Sequence, residues 1–537
     1  MASAASALAV SNPVQGAPAT STEIPRDYNF AADILDRNLA AGRANKPVFI
    51  DQRGSWTYGE LADRANRFGA VLRAKGVRRE ERILICLLDT IDWPTAFLGA
   101  LKAGVVAVPV NTLMTEADYA FMLADSRARM LVVSDVLLPR FEKLITSSPD
   151  LAHVVVSGAD PKGHERLEDL LAAAPAEDVT APTTRDDIAF WLYTSGSTGK
   201  PKGAVHVHAS LRLTNDLYAA PILGLNENDV CYSVAKLFFA YGLGNALTFP
   251  MSVGATTILL ADRPTPEAVA ALLRQHPVSV FYGVPTFYAG FLASAAAPEL
   301  GAVKFRRCVS AGEALPSDVG RRWRERYGCD ILDGIGSTEM LHIFLSNSPG
   351  DVKYGTTGKP VPGYEVRLVD EAGMPVKPGE MGELIIRGPS SAIMYWNNRE
   401  QSRRTFMGEW TRSGDKYRED EDGYYVYCGR NDDMLKVSGL YVSPFEVEAA
   451  LQSHAAVLEC AVVAWLDDDN LTKPKAFIVL KSAEAGSPEM VRVLQEHVKT
   501  ALAPFKYPRW IEFREELPKT ATGKIQRFKL RAEQAGG

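Results

Sequence analysis

The chain is poor in the features that mark several protein classes. It holds six cysteines, Cys86, Cys231, Cys308, Cys329, Cys428 and Cys460, and no two form a C-x-x-C pair. That argues against a zinc site or a disulfide framework, and the six read as small buried hydrophobes in a reducing compartment. No apolar run reaches the length of about 18 residues that a membrane-spanning helix needs. Basic charge is not in excess. The net charge of −6 argues against a nucleic-acid-binding protein, which usually carries a basic face. The first basic residue is Arg26, so the positive start of a secretory signal is missing. Residues 1–25, rich in Ala, Ser, Pro and Thr, are expected to form a disordered tail. The reading is cytoplasmic, with no nucleic acid and no membrane as partner.

What stands out is Tyr193-Thr-Ser-Gly-Ser-Thr-Gly-Lys-Pro-Lys-Gly203. The apolar run 188–193 that leads into it reads as a buried strand. Gly196, Gly199 and Gly203 allow positive φ and a close backbone approach to a ligand. Thr194, Ser195, Ser197 and Thr198 add hydroxyls, and Lys200 and Lys202 add positive charge. Successive backbone N–H groups in such a turn form an anion-binding nest, so the stretch suits a polyphosphate. It is not a Walker A loop: two residues, not four, separate Gly196 from Gly199, and Pro201 follows Lys200.

Apolar strands alternating with amphipathic helices imply parallel βαβ units. Strands are expected at 82–88, 105–110, 130–133, 230–234, 255–260, 278–282, 307–310 and 330–332. Helices are expected from the capping box Thr57/Glu60, at 96–102, around 119–124, at 267–274 and at 318–327. From about Gly363 the segments shorten and alternate, which predicts a β-rich subdomain with strands at 364–369 and 382–387. Beyond Gly429 a small α+β unit follows. It should open with a second capping box at Ser443 and Glu446 and continue as strands 459–464 and 476–480, helix 488–501 and strand 510–513.

The polyphosphate stretch resembles the signature of the adenylate-forming enzymes, the family of acyl-CoA synthetases, luciferases and adenylation domains. Further segments extend the resemblance. Ile335-Gly-Ser-Thr-Glu-Met340 is similar to the segment flanking the acyl-adenylate, with Thr338 touching phosphate and Glu339 holding Mg²⁺. Ser310-Ala-Gly-Glu-Ala-Leu-Pro316 is similar to the adenine-lining segment, which adds Ala311, Gly312 and Glu313 to Asp333, Gly334, Ile335, Gly336 and Ser337 on the nucleotide. Trp410-Thr-Arg-Ser-Gly-Asp415 resembles the ribose-binding segment, and Gly429-Arg-Asn-Asp-Asp-Met-Leu-Lys436 resembles the hinge motif. The resemblance gives Asp415 and Arg430 to the ribose and makes Asp432 the pivot. Lys524, in Pro518-Lys-Thr-Ala-Thr-Gly-Lys-Ile-Gln-Arg527, matches the adenylation lysine.

The implied fold is α/β: a large N-terminal domain (26–429) of doubly wound subdomains plus a β-rich subdomain, a hinge at 430–434, and a small mobile α+β lid (435–537). The implied chemistry is ATP-dependent activation of a carboxylic acid as acyl-AMP, followed by transfer to a thiol. Lys200, Lys202, Lys524 and Mg²⁺ would offset the repulsion of two anions. After rotation of the lid, Val437, Ser438 and Gly439 would face the coenzyme A thiol.

Within the family the chain resembles benzoate–CoA ligases most. That assigns the acid pocket to Ala240, Tyr241, Gly336, Leu341, His342, Ile343 and Lys436. Tyr241 can pack on an aryl ring, Leu341 and Ile343 can bound a flat slot, and His342 or Lys436 can orient the carboxylate. His342 reads equally as a hydrogen-bonded packing residue. Substituted benzoates, a cinnamate or a short aliphatic acid remain alternatives, as does a carrier-protein thiol. The protein is expected to be a monomer or homodimer.

Overall fold

In the computed structural model the described residues are 23–178, 180–195, 201–299, 301–430, 433–437, 440–467, 471–482, 486–503, 506–519 and 525–534. Most of the expected tail, residues 1–22, lies outside them. Ile24 is buried in the core, so the folded chain begins before residue 26 and the expected tail is shortened at that end.

Local signals built the elements they promised. Thr57 caps helix Tyr58–Ala74: its hydroxyl accepts the Glu60 N–H, and the Glu60 carboxylate accepts the Thr57 N–H. Leu61, Ala65, Phe68 and Leu72 form its buried face. Gly76, at φ +69°, turns the chain out of it. The helix packs closely on helix Asp92–Lys102, where a Cβ on Gly99 would come within 2.8 Å of the Ala65 carbonyl oxygen.

Among the described residues two large sheets dominate. The eight-stranded one runs Met394–Tyr395, Pro201–Val207, Ile188–Ser195, Val106–Pro109, Arg82–Cys86, Met130–Ser134, His153–Ser157, Glu165–Arg166. Its strands from Ile188–Ser195 to Glu165–Arg166 pair in parallel, as the alternation implied. The nine-stranded sheet holds Arg307–Ser310 between Val280–Gly283 and Ile331–Gly336, all parallel, and continues antiparallel into Ile343–Ser346. The β-rich part follows as expected: an antiparallel sheet of Glu365–Val369, Met381–Arg387, Trp410–Glu419, Phe406–Met407 and Tyr425–Arg430.

Two expectations are corrected. The polyphosphate stretch, expected as a turn after a strand, is in strands at both of its described ends. Ile188–Ser195 and Pro201–Val207 form an antiparallel hairpin, with Thr194 opposite Lys202 and Ser195 opposite Pro201. Residues 196–200 at its tip lie outside the described residues. Gly203, expected in a tight ligand-facing turn, sits within the returning strand. It is needed there because a Cβ would stand 2.9 Å from the Trp191 ring, which is stacked on Trp396 at 4.7 Å.

The small C-terminal domain holds a three-stranded sheet, Val457–Leu466, Thr472–Leu480 and Trp510–Phe513, with helices Pro444–Gln452 and Pro488–Ala501. Its first helix has half of the expected capping box. Ser443 accepts the Glu446 N–H, but the Glu446 carboxylate is drawn to the Lys506 ammonium at 2.6 and 2.7 Å. The helix meets the large domain through Phe445, edge-on to Tyr427 at 4.8 Å.

Far from any motif, Asp92 is fully buried and accepts hydrogen bonds from Arg53 (2.8 and 3.0 Å), Arg64 (2.6 Å) and the Ser157 hydroxyl (2.6 Å). Removing one partner of such a group leaves buried charge uncompensated, at a cost of about 3 kcal/mol. Asp92→Ala should therefore lower the thermal unfolding midpoint markedly. An unchanged midpoint would show that the guanidinium groups find other partners.

Candidate active site

Lys202 leaves the hairpin tip on the returning strand, and its ammonium lies 4.8 Å from the centre of the Tyr395 ring. A cation over an aromatic face is held without being neutralised. The Tyr395 hydroxyl donates to Glu339 Oε1 at 2.6 Å. Lys202, Tyr395 and Glu339 thus form one contiguous group. Tyr395 comes from strand Met394–Tyr395, which pairs with the hairpin through Tyr395 and Ala204.

Thr338 and Glu339 belong to the turn that joins strands Ile331–Gly336 and Ile343–Ser346. Its backbone is held from several sides. The Thr338 carbonyl accepts His206 Nε2–H at 2.7 Å and the Leu341 N–H at 3.3 Å. The Glu339 carbonyl accepts the Ala392 N–H at 2.7 Å, and the Met340 carbonyl accepts the Ser390 hydroxyl at 2.8 Å. Ser337 Oγ accepts the Met340 N–H at 3.1 Å. Leu341 is driven to φ +67°, an uncommon conformation for a residue with a Cβ.

The residues expected on the nucleotide lie on neighbouring strands. Strand Arg307–Ser310 ends before Ala311, and Gly312 takes φ +96°, so the chain turns there as only glycine does readily. Asp333 lies opposite Ser310, and Gly334, Ile335 and Gly336 continue its strand. Burial pushes the Asp333 carboxyl from 3.8 up to about 8, so near neutrality it is mostly protonated and able to donate a hydrogen bond. Asp415 and Arg430 are register partners on strands Trp410–Glu419 and Tyr425–Arg430, with Arg430 Nε 3.5 Å from Asp415 Oδ1. Glu313 is partly exposed just beyond Gly312.

The acid-pocket candidates gather where two cores meet. Leu341 packs in one core with Ala240 against it, and Ile343 packs in the other with Tyr241 against it. The Tyr241 hydroxyl points to the carbonyls of Gly283 and Val309, each at 3.2 Å. The His342 ring is caged by Phe249 (4.3 Å), Tyr218 (5.7 Å) and Tyr241 (5.7 Å). Gly244 makes room for it: a Cβ there would lie 2.4 Å from His342 Cδ2. Burial pushes the imidazole pKa down to about 3, so His342 is neutral and carries one N–H; Nε2 lies 3.4 Å from the Tyr241 carbonyl, and a proton held there leaves Nδ1 an acceptor. Gly336 faces Ile343 across the strands, with no room for a side chain beside the His342 carbonyl.

Several expected residues lie outside the described residues: Gly196, Ser197, Thr198, Gly199, Lys200, Asp432, Ser438, Gly439 and Lys524. The backbones of Ser195 and Lys436 are in strands and Val437 is buried. His206, Ser390 and Tyr395 were missed by sequence reasoning. Only His206 carried a signal, a titratable residue within the apolar run Ala204-Val-His-Val207.

Glu339 suits Mg²⁺, which is held by one or two carboxylates together with substrate phosphates. Among the described residues no three of His, Cys, Asp and Glu gather into a ready-made metal cage, so a site completed by a triphosphate is the kind this donor set fits.

The chain matches the AMP-binding enzyme family over residues 36–396 and the AMP-binding enzyme C-terminal domain over residues 446–524. A benzoate–CoA ligase of Thauera aromatica is 60% identical over 512 residues, 95% of this chain and 97% of that protein. Among solved structures, a benzoate CoA ligase from Burkholderia xenovorans aligns with TM-score 0.89 and 56% identity, over 94% of this chain and 100% of that one. An anthranilate CoA ligase in complex with anthranoyl-AMP aligns with TM-score 0.92 and 44% identity, over 96% and 98% of the two chains.

The raised Asp333 carboxyl has a consequence for stability. Between 3.8 and about 8 the unfolded chain has given up this proton while the folded chain keeps it, so this group makes stability fall as pH rises through that window. Asp333→Asn should flatten the fall in thermal midpoint between pH 5 and pH 8. A variant as pH-sensitive as the parent would show that Asp333 is ionised in the folded protein.

Proposed function

Because the chain belongs to the AMP-binding enzyme family, we propose that it is an ATP-dependent acid–thiol ligase that converts benzoate to its coenzyme A thioester through benzoyl-AMP. The observation that carries this reading is the grouping of Lys202, Tyr395 and Glu339 beside the hairpin tip. It occurs in a chain that matches a benzoate–CoA ligase over nearly its whole length.

A carboxylate is a poor acyl donor because oxide is a poor leaving group. In the first step a benzoate oxygen attacks the α-phosphorus of ATP, the α–β phosphoanhydride bond breaks, and pyrophosphate leaves. Two anions must approach, so fixed positive charge is required. Lys202 and Lys200 supply it from the hairpin, and Lys524 brings it from the small domain. Glu339 would hold Mg²⁺ together with the substrate phosphates, and the ion would supply further positive charge there. Thr338 touches the α-phosphate, Asp415 and Arg430 hold the ribose, and residues 311–313 with 333–337 line the nucleotide. Leu341, Ile343 and Tyr241 bound the aryl slot, with Ala240 at its side. His342 is a neutral wall residue of that slot, and Lys436 orients the carboxylate.

In the second step the thiol sulfur attacks the acyl carbon, AMP leaves with the bonding electron pair, and the thiol proton passes to solvent. The small domain turns about Asp432 between the steps. That rotation withdraws Lys524 and brings Val437, Ser438 and Gly439 to the thiol. Such a turn would break the contact of Phe445 on Tyr427. The six free thiols fit a cytoplasmic setting, and no helix among the described residues is long and apolar enough to cross a membrane.

Pyrophosphate exchange against benzoate, 4-hydroxybenzoate, 2-aminobenzoate, a cinnamate and a short aliphatic acid tests the acid, and repetition with coenzyme A tests the acceptor. Benzoate should give the highest kcat/KM, with thioester formed on addition of coenzyme A. Preference for an aliphatic acid, or no thioester, would overturn the reading. In the partial reactions, Lys524→Ala should abolish benzoyl-AMP formation and spare thioester formation from supplied benzoyl-AMP. Equal loss of both would remove Lys524 from the first step.

A further inference from the structure

His206 has no place in the chemistry above, yet its position demands a reason. It is fully buried in strand Pro201–Val207 and lies nearly parallel to the Phe190 ring at 5.3 Å. An aliphatic residue would fill the same space without carrying two ring nitrogens into the interior. His206 Nδ1 makes no hydrogen bond of good geometry, with only the Ser390 backbone close to the ring, an expense that an apolar side chain would avoid. What His206 gains is one bond, from Nε2–H to the Thr338 carbonyl at 2.7 Å. Burial pushes its pKa down to about 4, so the ring is neutral and carries one N–H, which this bond places on Nε2.

The bond spans the two large sheets. His206 is on the hairpin strand, four residues beyond Lys202. An even spacing along a strand puts both side chains on one face. Thr338 begins the turn whose next residue is Glu339. The other bonds that cross to this turn come from Ser390, Ala392 and Tyr395, of which Tyr395 is on the edge strand that pairs with the lysine-bearing one. The tie to the lysine-bearing strand is His206 itself.

We propose that His206 is a positioning residue for adenylation: by holding the Thr338 carbonyl it fixes the Thr338 hydroxyl and the Glu339 carboxylate relative to Lys202. This rests on the reading of Thr338 and Glu339 as the phosphate and magnesium side of the site. A group held in place before the reaction stabilises transferring charge without reorganisation, so loss of the tie should appear in kcat more than in the KM for ATP.

The test compares H206L, which fills the space without an N–H, with H206Q, whose amide places an N–H close to the Nε2 position. In benzoate-dependent pyrophosphate exchange, H206L should lose about thirtyfold in kcat with the KM for ATP moved by about threefold or less. H206Q should recover to within about fivefold of the parent. Away from turnover, the dissociation constant of benzoyl-sulfamoyl-adenosine, an uncleavable mimic of benzoyl-AMP, should rise about tenfold in H206L and stay near the parent value in H206Q. Should H206L fail to fold, H206M takes its place under the same criteria. Full kcat in H206L, equal impairment of the two variants, or a loss confined to KM would overturn the assignment of His206. Absence of exchange in the parent protein would overturn the ligase reading and this one with it.

Discussion

The Thr338 carbonyl is a point at which the two large sheets are bonded together. It takes one hydrogen bond from His206 in the eight-stranded sheet and one from Leu341 within its own turn. Around it, backbone groups of residues 339–341 are also held, one of them by the Ser337 hydroxyl, so the turn is over-determined. A turn held this way can carry a non-glycine residue at positive φ. It also presents Glu339 toward Tyr395 and the strand that carries Lys202. The geometry at the expected phosphates is therefore set by the packing of whole sheets, and a local loop conformation contributes less.

The ionisable groups sort themselves by depth. His206, His342 and Asp333 are buried, and burial favours the uncharged form of each. They act through shape and single hydrogen bonds. The charged groups sit further out: Lys202 over an aromatic face, Arg430 beside Asp415, Glu339 against a hydroxyl. A neutral floor with charge further out suits a ligand that is apolar at one end and anionic at the other. Benzoyl-AMP is such a molecule, and the division of the proposed acid-pocket residues between two cores follows the same logic.

Much of this was legible in the sequence because the signals were local. Helix Pro488–Ala501 and strand Trp510–Phe513 carry their own periodicity, and the Thr57/Glu60 capping box is complete within four residues. Helix Phe30–Ala40 was not read, although its buried residues recur at helical spacing: the polar Asn38 falls on the buried face, and the cap Asn29 has no Glu or Gln three residues on. The Ser443 box is half formed because Lys506, 60 residues away from Glu446, competes for the carboxylate. The site divides likewise. Dense motifs named the groups that would touch ligand, while their supports come from afar. His206 lies 132 residues from Thr338, Tyr395 lies 56 from Glu339, and Ser390 lies 50 from Met340. No spacing rule links such pairs, whereas the hairpin that carries Lys202 is local and was missed because its Gly- and Ser-rich sequence reads as a turn.

Leu341 narrows the routes by which this scaffold can diversify. At φ +67° a β-branched side chain would add strain of about 1–3 kcal/mol, so valine, isoleucine and threonine are poor replacements there. Ala240 and Ile343 carry no such backbone restriction, the first at the start of a short helix and the second in an extended strand. Descendants that switch to a bulkier or slimmer acid should accordingly accumulate their changes at those two neighbours, with Leu341 persisting as a fossil of the turn that shaped it.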